Sequence, residues 1–406
     1  MPDISSKNGI DMGNIASING QDAPSGGGGR SLGSGTYIFG DVGGSFIEAF
    51  KDGDTTIGPE MYVKMSDTSH DFDKVVANQY WNFWGLKSDG TLWMYNTATD
   101  FNGTYGTQTQ WTQFGTDTDW SDLASGRYHF GAIKNGEYYH LGYNAYGQAG
   151  AGNTTTVQVW TKVGTDTDWS EIAKGEYFTI LTKTGGTVYT AGRNSNYRTG
   201  QGTASGNTTT LTQLSGVTNA IKPNAGQRDG AVIVEATAGD GYGTPYVWGY
   251  NQANHIGVSG STTTPTASTI SGTGTISQIS EMAIGRYTSH IIDTSGYLYR
   301  GGYSTDDPIW NETGSKTSGF DRDGSVTGFS KVFSSGARAS NYATFFKDSK
   351  HYMGGYLGAS ITENEAKGKA SSRTPIEDLT VLSGKTIDAV NHVYGYQTHS
   401  FVISIA

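Results

Sequence analysis

Cysteine is absent from the 406-residue chain. That excludes disulfide frameworks, thiolate zinc sites, iron–sulfur clusters and a thiol nucleophile. Proline is scarce at 8 residues, which excludes a collagen-like or proline-rich rod. Charged residues make up only 16%. A long disordered polyelectrolyte has the opposite balance, so most of the chain is expected to fold. Cations are the scarcer sign: 27 Lys and Arg stand against 37 Asp and Glu, for a net charge of −10. No run of Lys or Arg exceeds a pair. Nucleic acid is therefore not an expected partner, unless the fold segregates a basic face. No apolar stretch approaches the length of a membrane span. The opening MPDISSKNGIDMGN lacks the apolar core of a cleaved signal, so none is expected. Helical periodicity is missing as well. The one Ala/Lys/Glu-rich piece, 363–369, is too short to matter.

What the chain has in excess is glycine and aromatics: 60 Gly, 25 Tyr, 9 Trp and 15 Phe. Glycine stands at about twice its average usage. It is not scattered evenly, because the chain repeats itself. Residues 111–124 read WTQFGTDTDWSDLA and residues 160–173 read WTKVGTDTDWSEIA, 49 positions apart. The longer units are 119–152 and 168–202. Each holds an apolar pair, a glycine, an alternating apolar run, a tight turn, a short strand ending in Gly, and a polar loop. The anchor glycine recurs as Gly126, Gly175, Gly226, Gly285, Gly336 and Gly395. A weaker copy at 75–96 has Gln79 in the anchor's place. Turns such as Lys134-Asn135-Gly136 and Thr184-Gly185-Gly186 suit tight hairpins, since Asn and Gly accept positive φ.

Period-2 runs bounded by turns, in units of about 50 residues, predict an all-β chain built as a β-propeller. Seven anchors are counted, and the last unit stops after YQTHSFVISIA without a hairpin partner. The missing strand is found at 34–40, SGTYIFG. Tyr37, Ile38 and Phe39 are thus expected to complete the C-terminal blade and close a seven-bladed ring. The domain reading is an N-terminal arm with a Gly-rich joint over 1–33, then a propeller over 34–406.

Gly126, His129, the turn that follows, Asn144, and Gly147-Gln148-x-Gly150 together resemble the regulator of chromosome condensation repeat. The resemblance covers about residues 34–406. It implies a seven-bladed propeller whose terminal strands share a blade. It also raises guanine-nucleotide exchange on chromatin as an activity, against which the net charge and the lack of a basic tail speak. The repeats are degenerate: Phe178, Asp229 and Thr288 stand where His129 stands in the best copy.

The arm ends in SGGGGRSLG, with four consecutive glycines at 26–29 that read as a flexible joint. Upstream, Ile10, Ile15 and Ile18 are sparse apolar points in Ile-Asn-Gly surroundings. Such segments resemble the N-terminal pieces of phage tail and fibre proteins, and these three residues are the candidate virion attachment points.

Catalytic chemistry finds little support. Asp117-Thr118-Asp119 and Asp166-Thr167-Asp168 supply too few oxygens for calcium, and the loop opening at Asp321 lacks its twelfth-position Glu. Eight His are dispersed without metal spacing. Those in strand patterns, His129 and His399, are expected to bond within or between blades. Paired carboxylates that converge only in space remain open. No catalytic residue, metal or cofactor is expected. Tyr105, Tyr143, Tyr146, Tyr197 and Tyr250 lie in polar loops, and rim tyrosines suit protein or sugar contact. The expected function is non-enzymatic: a phage virion component of the tail, fibre or capsid surface. It would attach to other virion proteins through its arm and present a propeller to host protein or glycan. A carbohydrate-active propeller, lectin or glycosidase, is the alternative.

Overall fold

The structure is a computed structural model. It describes 72–78, 82–95, 105–302 (apart from 107, 109, 253, 271–275 and 277) and 319–333 (apart from 323–325) with side chains; elsewhere it describes backbone strands. Among the described residues no helix is long and apolar enough to cross a membrane.

Besides two two-stranded ribbons, the described strands sort into four-stranded antiparallel sheets; all are meanders of consecutive strands except one, which pairs Ile387–His392 and Ser400–Ile405 with Gly35–Gly40 and Tyr62–Ser66. One holds Trp120–Ser125, His129–Lys134, Glu137–Gly142 and Val157–Lys162. The next holds Trp169–Lys174, Phe178–Lys183, Val188–Arg193 and Asn207–Gln213. Sheets over 72–113, 220–267 and 279–322 follow the same plan. The predicted turns are there: Lys134 pairs with Glu137 across Asn135 and Gly136, whose φ values are 49° and 74°. The sequence repeat is thus a structural repeat. Its fidelity extends to irregularities. The first strand of a sheet slips register after its first residue at Phe72/Lys74, Trp169/Glu171 and Ile279/Glu281 alike.

Burial runs radially through each sheet. First strands pack against the first strands of neighbouring sheets. Second strands are buried along their length, with the same pattern in His129–Lys134, Phe178–Lys183, Asp229–Val234 and Thr288–Asp293. Fourth strands such as Val157–Lys162 are mostly exposed. The core lies between sheets rather than within one. Trp84 and Leu86 meet Trp120, Phe130 and Leu141; Ile133 and Tyr138 meet Trp169, Ile172 and Leu181; Phe178 and Val188 meet Val232 and Trp248. Each sheet buries one face against each neighbour, the arrangement of propeller blades.

The anchor glycines explain how the inner strands converge. Gly126 N donates to His129 O at 2.8 Å, Gly175 N to Phe178 O at 3.0 Å, Gly226 N to Asp229 O at 2.8 Å and Gly285 N to Thr288 O at 3.0 Å. The same turn therefore joins first and second strands in these four sheets. A Cβ on Gly126 would lie 2.4 Å from the Gly175 carbonyl oxygen, and one on Gly226 would lie 2.6 Å from that of Gly285. Neighbouring anchors touch through their backbones, and no side chain fits between them.

In the 72–113 sheet the anchor position differs from the sequence alignment. Asn78, not Gln79, follows Phe72–Ala77 directly. Its N–H reaches Asn82 O at 3.3 Å, one residue further along than in the other copies. The turn carries one extra residue, so it closes without a glycine. Gln79 itself lies outside the described residues, as do Gly336, Gly395 and His399.

At the ends of the chain only backbone is described. Gly35–Gly40 pairs with Ser400–Ile405, Tyr37 opposite Ile403, Ile38 opposite Val402 and Phe39 opposite Phe401. Ser17–Ile18 forms a two-residue ribbon with Gln21–Asp22. Ile10 and Ile15 lie outside the described residues.

Replacing Gly126 or Gly226 by Ala forces neighbouring backbones apart and is expected to lower stability by about 1–3 kcal/mol, the usual cost of overpacking. Gly185→Ala, where no atom lies within 4 Å of the added methyl, is the matched control and should stay within about 0.5 kcal/mol. Urea denaturation of the three variants checks this, and equal midpoints for all three would refute the contact.

Candidate interaction face

Strand direction places two kinds of loop at one end of every sheet: the anchor turn between strands one and two, and the longer loop between strands three and four. In three consecutive sheets the longer loop is built around a buried asparagine. Asn144 Oδ1 accepts from Ala149 N at 2.8 Å while its Nδ2 donates to Asn153 O at 3.1 Å. Asn194 Oδ1 accepts from Thr199 Oγ1 at 2.6 Å and Nδ2 donates to Thr203 O at 2.8 Å. Asn251 Oδ1 accepts from Ile256 N at 3.2 Å and Nδ2 donates to Gly260 O at 2.7 Å. A carboxylate could not donate these bonds, and an aliphatic chain could make none, which is why Asn recurs. The first two of these loops also latch onto the next sheet's outer strand. Gly152 N donates to Thr209 O and Gly202 N to Thr263 O, both at 2.9 Å or less.

On this scaffold the loops assemble a cluster of arginines and tyrosines. Glu176, buried, accepts from Arg127 Nη1 at 2.9 Å and from Arg198 Nη1 at 3.3 Å. Arg127 also donates to the Tyr177 hydroxyl at 2.8 Å. Tyr177 lies 4.9 Å from Tyr146 and 6.1 Å from both Tyr143 and Tyr128, ring centre to ring centre. Guanidinium groups cap these rings: Arg127 over Tyr128 at 4.7 Å and Arg193 over Tyr146 at 4.9 Å. Such stacking holds a planar cation in place at little entropic cost. Burial pushes the Tyr177 phenol up to about 12, so it keeps its proton at any physiological pH. Two more pairs follow on the next sheets, Arg228 over Tyr250 at 5.3 Å and Arg286 over Tyr287 at 4.3 Å.

Of the tyrosines expected on the rim, Tyr143 and Tyr146 are in this cluster and Tyr250 is in its continuation. Tyr197 lies in the loop Ser195–Tyr197 with φ of 60°, apart from the stack. Tyr105 lies elsewhere. It packs at 5.7 Å on Trp84 and 5.5 Å on Phe114, and its hydroxyl accepts from Trp160 N of the next sheet at 2.9 Å. It is a packing residue between sheets. Arg127, Tyr128, Glu176, Tyr177, Arg193 and Arg198 escaped the sequence reading. For Arg127, Tyr128, Glu176 and Tyr177 the signal was the pair after each anchor, as in Arg127-Tyr128, Glu176-Tyr177, Gln227-Arg228 and Arg286-Tyr287; Arg193 and Arg198 had none.

Beneath this face lies a buried polar group between two sheets. Lys174 Nζ donates to Thr179 Oγ1 at 2.8 Å and to the Tyr138 hydroxyl at 3.0 Å, and lies 3.3 Å from His140 Nδ1. Gly131 makes the room: a Cβ there would fall 2.2 Å from Lys174 Cε. His129 stacks on His140 at 5.6 Å and lies against the backbone of Gly175 and Glu176 in the next sheet. His129 therefore acts between sheets, as its strand position suggested. The groups that meet the Lys174 amine are thus two hydroxyls and an imidazole. Burial holds its amine well below the usual value, and burial likewise depresses both imidazoles.

The opposite end of the sheets carries the duplicated acidic turns. Lys134 pairs with Asp117 at 2.6 Å, and Lys183 pairs with Asp166 at 2.8 Å and Asp168 at 2.9 Å. The two lysines lie over Trp120 and Trp169. These aspartates thus bracket lysines. Among the described residues no group of three or more His, Asp or Glu is placed to hold a metal.

No family model matches the chain, and no curated protein sequence matches it. Solved structures do. Human WBSCR16 superposes with a TM-score of 0.68 at 14% identity, over 92% of this chain and 99% of that one. Prp20p from Saccharomyces cerevisiae, described for its binding to Gsp1p and histones, gives 0.66 at 14%, over 93% of each chain. Yeast RCC1 (Prp20) bound by Kap60 gives 0.65 at 14%, over 93% of this chain and 90% of that one. The chain has the RCC1-type β-propeller fold.

The buried amine makes a testable demand on pH dependence. A folded-state value below the unfolded one means that the unfolded chain binds the extra proton. The stability this withholds is fully restored only above the unfolded value near 10.5 and is lost as pH falls toward the depressed folded value. Lys174→Met removes that slope. The stability difference between variant and parent should therefore change with pH by up to about 1.4 kcal/mol per unit as pH falls below the unfolded value near 10.5. Denaturation at a series of pH values measures it, and a constant difference would show that the amine is not suppressed.

Proposed function

We propose that the chain is a non-enzymatic interaction protein whose propeller presents the arginine–tyrosine face to a protein partner. The observation that carries this is the cluster of Tyr128, Tyr143, Tyr146 and Tyr177 with Arg127 and Arg193. Arginine and tyrosine dominate interface hot spots, and here both are pinned before any partner arrives. Fold neighbours described as binding proteins, Prp20p for its binding to Gsp1p and histones and yeast RCC1 bound by Kap60, support an interaction role.

The finer reading is a seven-bladed ring in which residues 34–40 close the C-terminal blade, carried in a phage virion on the tail or capsid exterior. Residues 1–33, with Ile10, Ile15 and Ile18, attach it there. Support for closure comes from the antiparallel pairing of Gly35–Gly40 with Ser400–Ile405 and from the packing of Ile387–His392 against Phe72–Ala77. Support for attachment comes from the polar arm and its glycine joint at 26–29.

A chain beginning at Asp41 loses a strand with Tyr37, Ile38 and Phe39. Buried side chains of this size contribute roughly 1.5–3 kcal/mol each, so the loss rivals the whole stability of a domain, about 5–15 kcal/mol. It is expected to misfold. A chain beginning at Ser34 is expected to melt like the full chain and to be missing from particles. Equal melting of the two truncated chains overturns ring closure, and normal incorporation of the Ser34 chain overturns attachment by the arm.

A photo-crosslinking amino acid at Tyr146 tests the face itself. In purified particles it is expected to give an adduct with another protein, while the same group at exposed Val159 on an outer strand is not. Absence of the protein from particles overturns the virion reading. Presence without an adduct at Tyr146 overturns the assignment of the face.

A further inference from the structure

The face is chemically one-sided, and this deepens the interaction reading on which it rests. The cluster holds three arginines against one carboxylate: Arg127 and Arg198 share Glu176, while Arg193 lies over Tyr146 and Tyr177 at 4.9 and 5.8 Å. Arg228–Tyr250 and Arg286–Tyr287 carry the same pairing onto the next two sheets. The result is an arc of arginine–tyrosine pairs across four consecutive sheets, at the end opposite Asp117, Asp166 and Asp168.

What faces outward decides the ligand class. The tyrosine rings meet each other at steep angles, 71° for Tyr143 and Tyr146 and 60° for Tyr146 and Tyr177, and guanidinium groups cover their faces. A sugar ring needs a free flat aromatic face, and the guanidinium groups over Tyr128, Tyr146 and Tyr250 compete for it. Arg193 and Arg228 are half-buried, so each guanidinium group is partly open to solvent, and guanidinium N–H groups donate hydrogen bonds. Guanidinium edges match carboxylates in paired N–H···O geometry. Nucleic acid would meet the same donors, but its unbroken charge is repelled by a chain of net charge −10 beyond the arc. A segment with carboxylates spaced along it meets the arginines one at a time and carries less charge past them.

We propose that the arginine–tyrosine arc, from Arg127 through Arg193 and Arg228 to Arg286, is a docking track for an acidic, extended segment of a partner protein. Arg193 and Arg228 are the residues that read its carboxylates, and Glu176 sets the spacing between Arg127 and Arg198.

Fluorescence anisotropy of the full chain with a labelled peptide of alternating Asp and Ser tests this. A peptide with Asn for Asp, a single-stranded DNA of equal length and sialyllactose serve as comparators. The Asp peptide is expected to bind at least about tenfold more tightly than the Asn peptide, and to weaken as salt rises from about 0.05 to about 0.3 M. Arg193→Glu and Arg228→Glu are each expected to weaken it about tenfold or more, whereas Lys134→Ala at the opposite end leaves it unchanged. Should either reversal lower the melting temperature, Arg193→Gln and Arg228→Gln replace it and the same loss is expected at smaller size. The inference is overturned by equal binding of the Asp and Asn peptides. It is equally overturned by indifference to both arginine variants, or by DNA or sialyllactose binding where the Asp peptide does not. Because crosslinking at Tyr146 detects a partner of any charge, an adduct there with no peptide binding removes the acidic partner and leaves the interaction face standing.

Discussion

The architecture depends on a backbone contact made where no side chain can be. Gly126 lies against Gly175 and Gly226 against Gly285, each so close that a single methyl would meet a carbonyl oxygen. Inner strands that approach this closely must diverge outward, since sheets twist and their outer strands carry side chains on both faces. The wedge opened by that divergence is filled by large residues from both neighbours, such as Trp84 with Phe130 and Phe178 with Trp248. Burial of the second strand on both faces, exposure of the fourth, and placement of the core between sheets follow from the same geometry. The glycine surplus of the composition is in this sense a structural requirement of the repeat.

A second repeated device turns this scaffold into a surface. Asn144, Asn194 and Asn251 each satisfy their loop with the amide oxygen and the amide nitrogen, and a buried asparagine that lost either set would leave backbone groups unpaired at about 1–3 kcal/mol. Because Gly152 and Gly202 then bond to the next sheet's outer strand, the loops cannot move independently of the sheets. Tyr143 and Tyr146 ride on the first of these loops, and Arg193 precedes the second. Their stacking is therefore set by the interlock between sheets, and a partner binding there spends little on ordering side chains. Lys174, His129 and His140 sit directly below, where the same interlock encloses polar groups away from water.

The parts of this that were legible in sequence are those that repeat. Gly126 and Gly175 sit at the same place in two nearly identical segments, and the turn Asn135-Gly136 has one good conformation. The all-β class and the propeller follow from such positions. The anchor of the 72–113 sheet was misread at Gln79 because alignment by apolar pattern cannot see a one-residue insertion, whereas hydrogen bonding selects Asn78. Tyr143, Tyr146 and Tyr250 were legible as loop aromatics. Tyr105 looked identical by that criterion, and only the donation from Trp160 N separates it. Arg193 and Lys174 carried no sequence signal of their own. An arginine over a tyrosine on another loop, or a lysine admitted by Gly131 on another sheet, exists only once the sheets are packed.

Net charge was the least informative of the sequence quantities, because the repeat sorts charges by strand end. Residues after an anchor always emerge at one end, and the Gly-Thr-Asp-Thr-Asp turns always emerge at the other. Arg127, Arg228 and Arg286 at the first site and Asp117, Asp166 and Asp168 at the second therefore accumulate on opposite ends whatever the total. The aspartates are partly offset by Lys134 and Lys183, and Glu176 offsets only part of Arg127, Arg193 and Arg198. A chain of charge −10 can therefore hold a locally positive surface. At a Debye length of about 8 Å under physiological salt, an approaching carboxylate near that surface responds to those arginines and hardly to the distant aspartates. The overall negative charge still acts on large polyanions, whose charge extends beyond the arc. The same arrangement thus admits a short acidic segment and disfavours a long nucleic acid, a discrimination that neither the total charge nor any single arginine could provide.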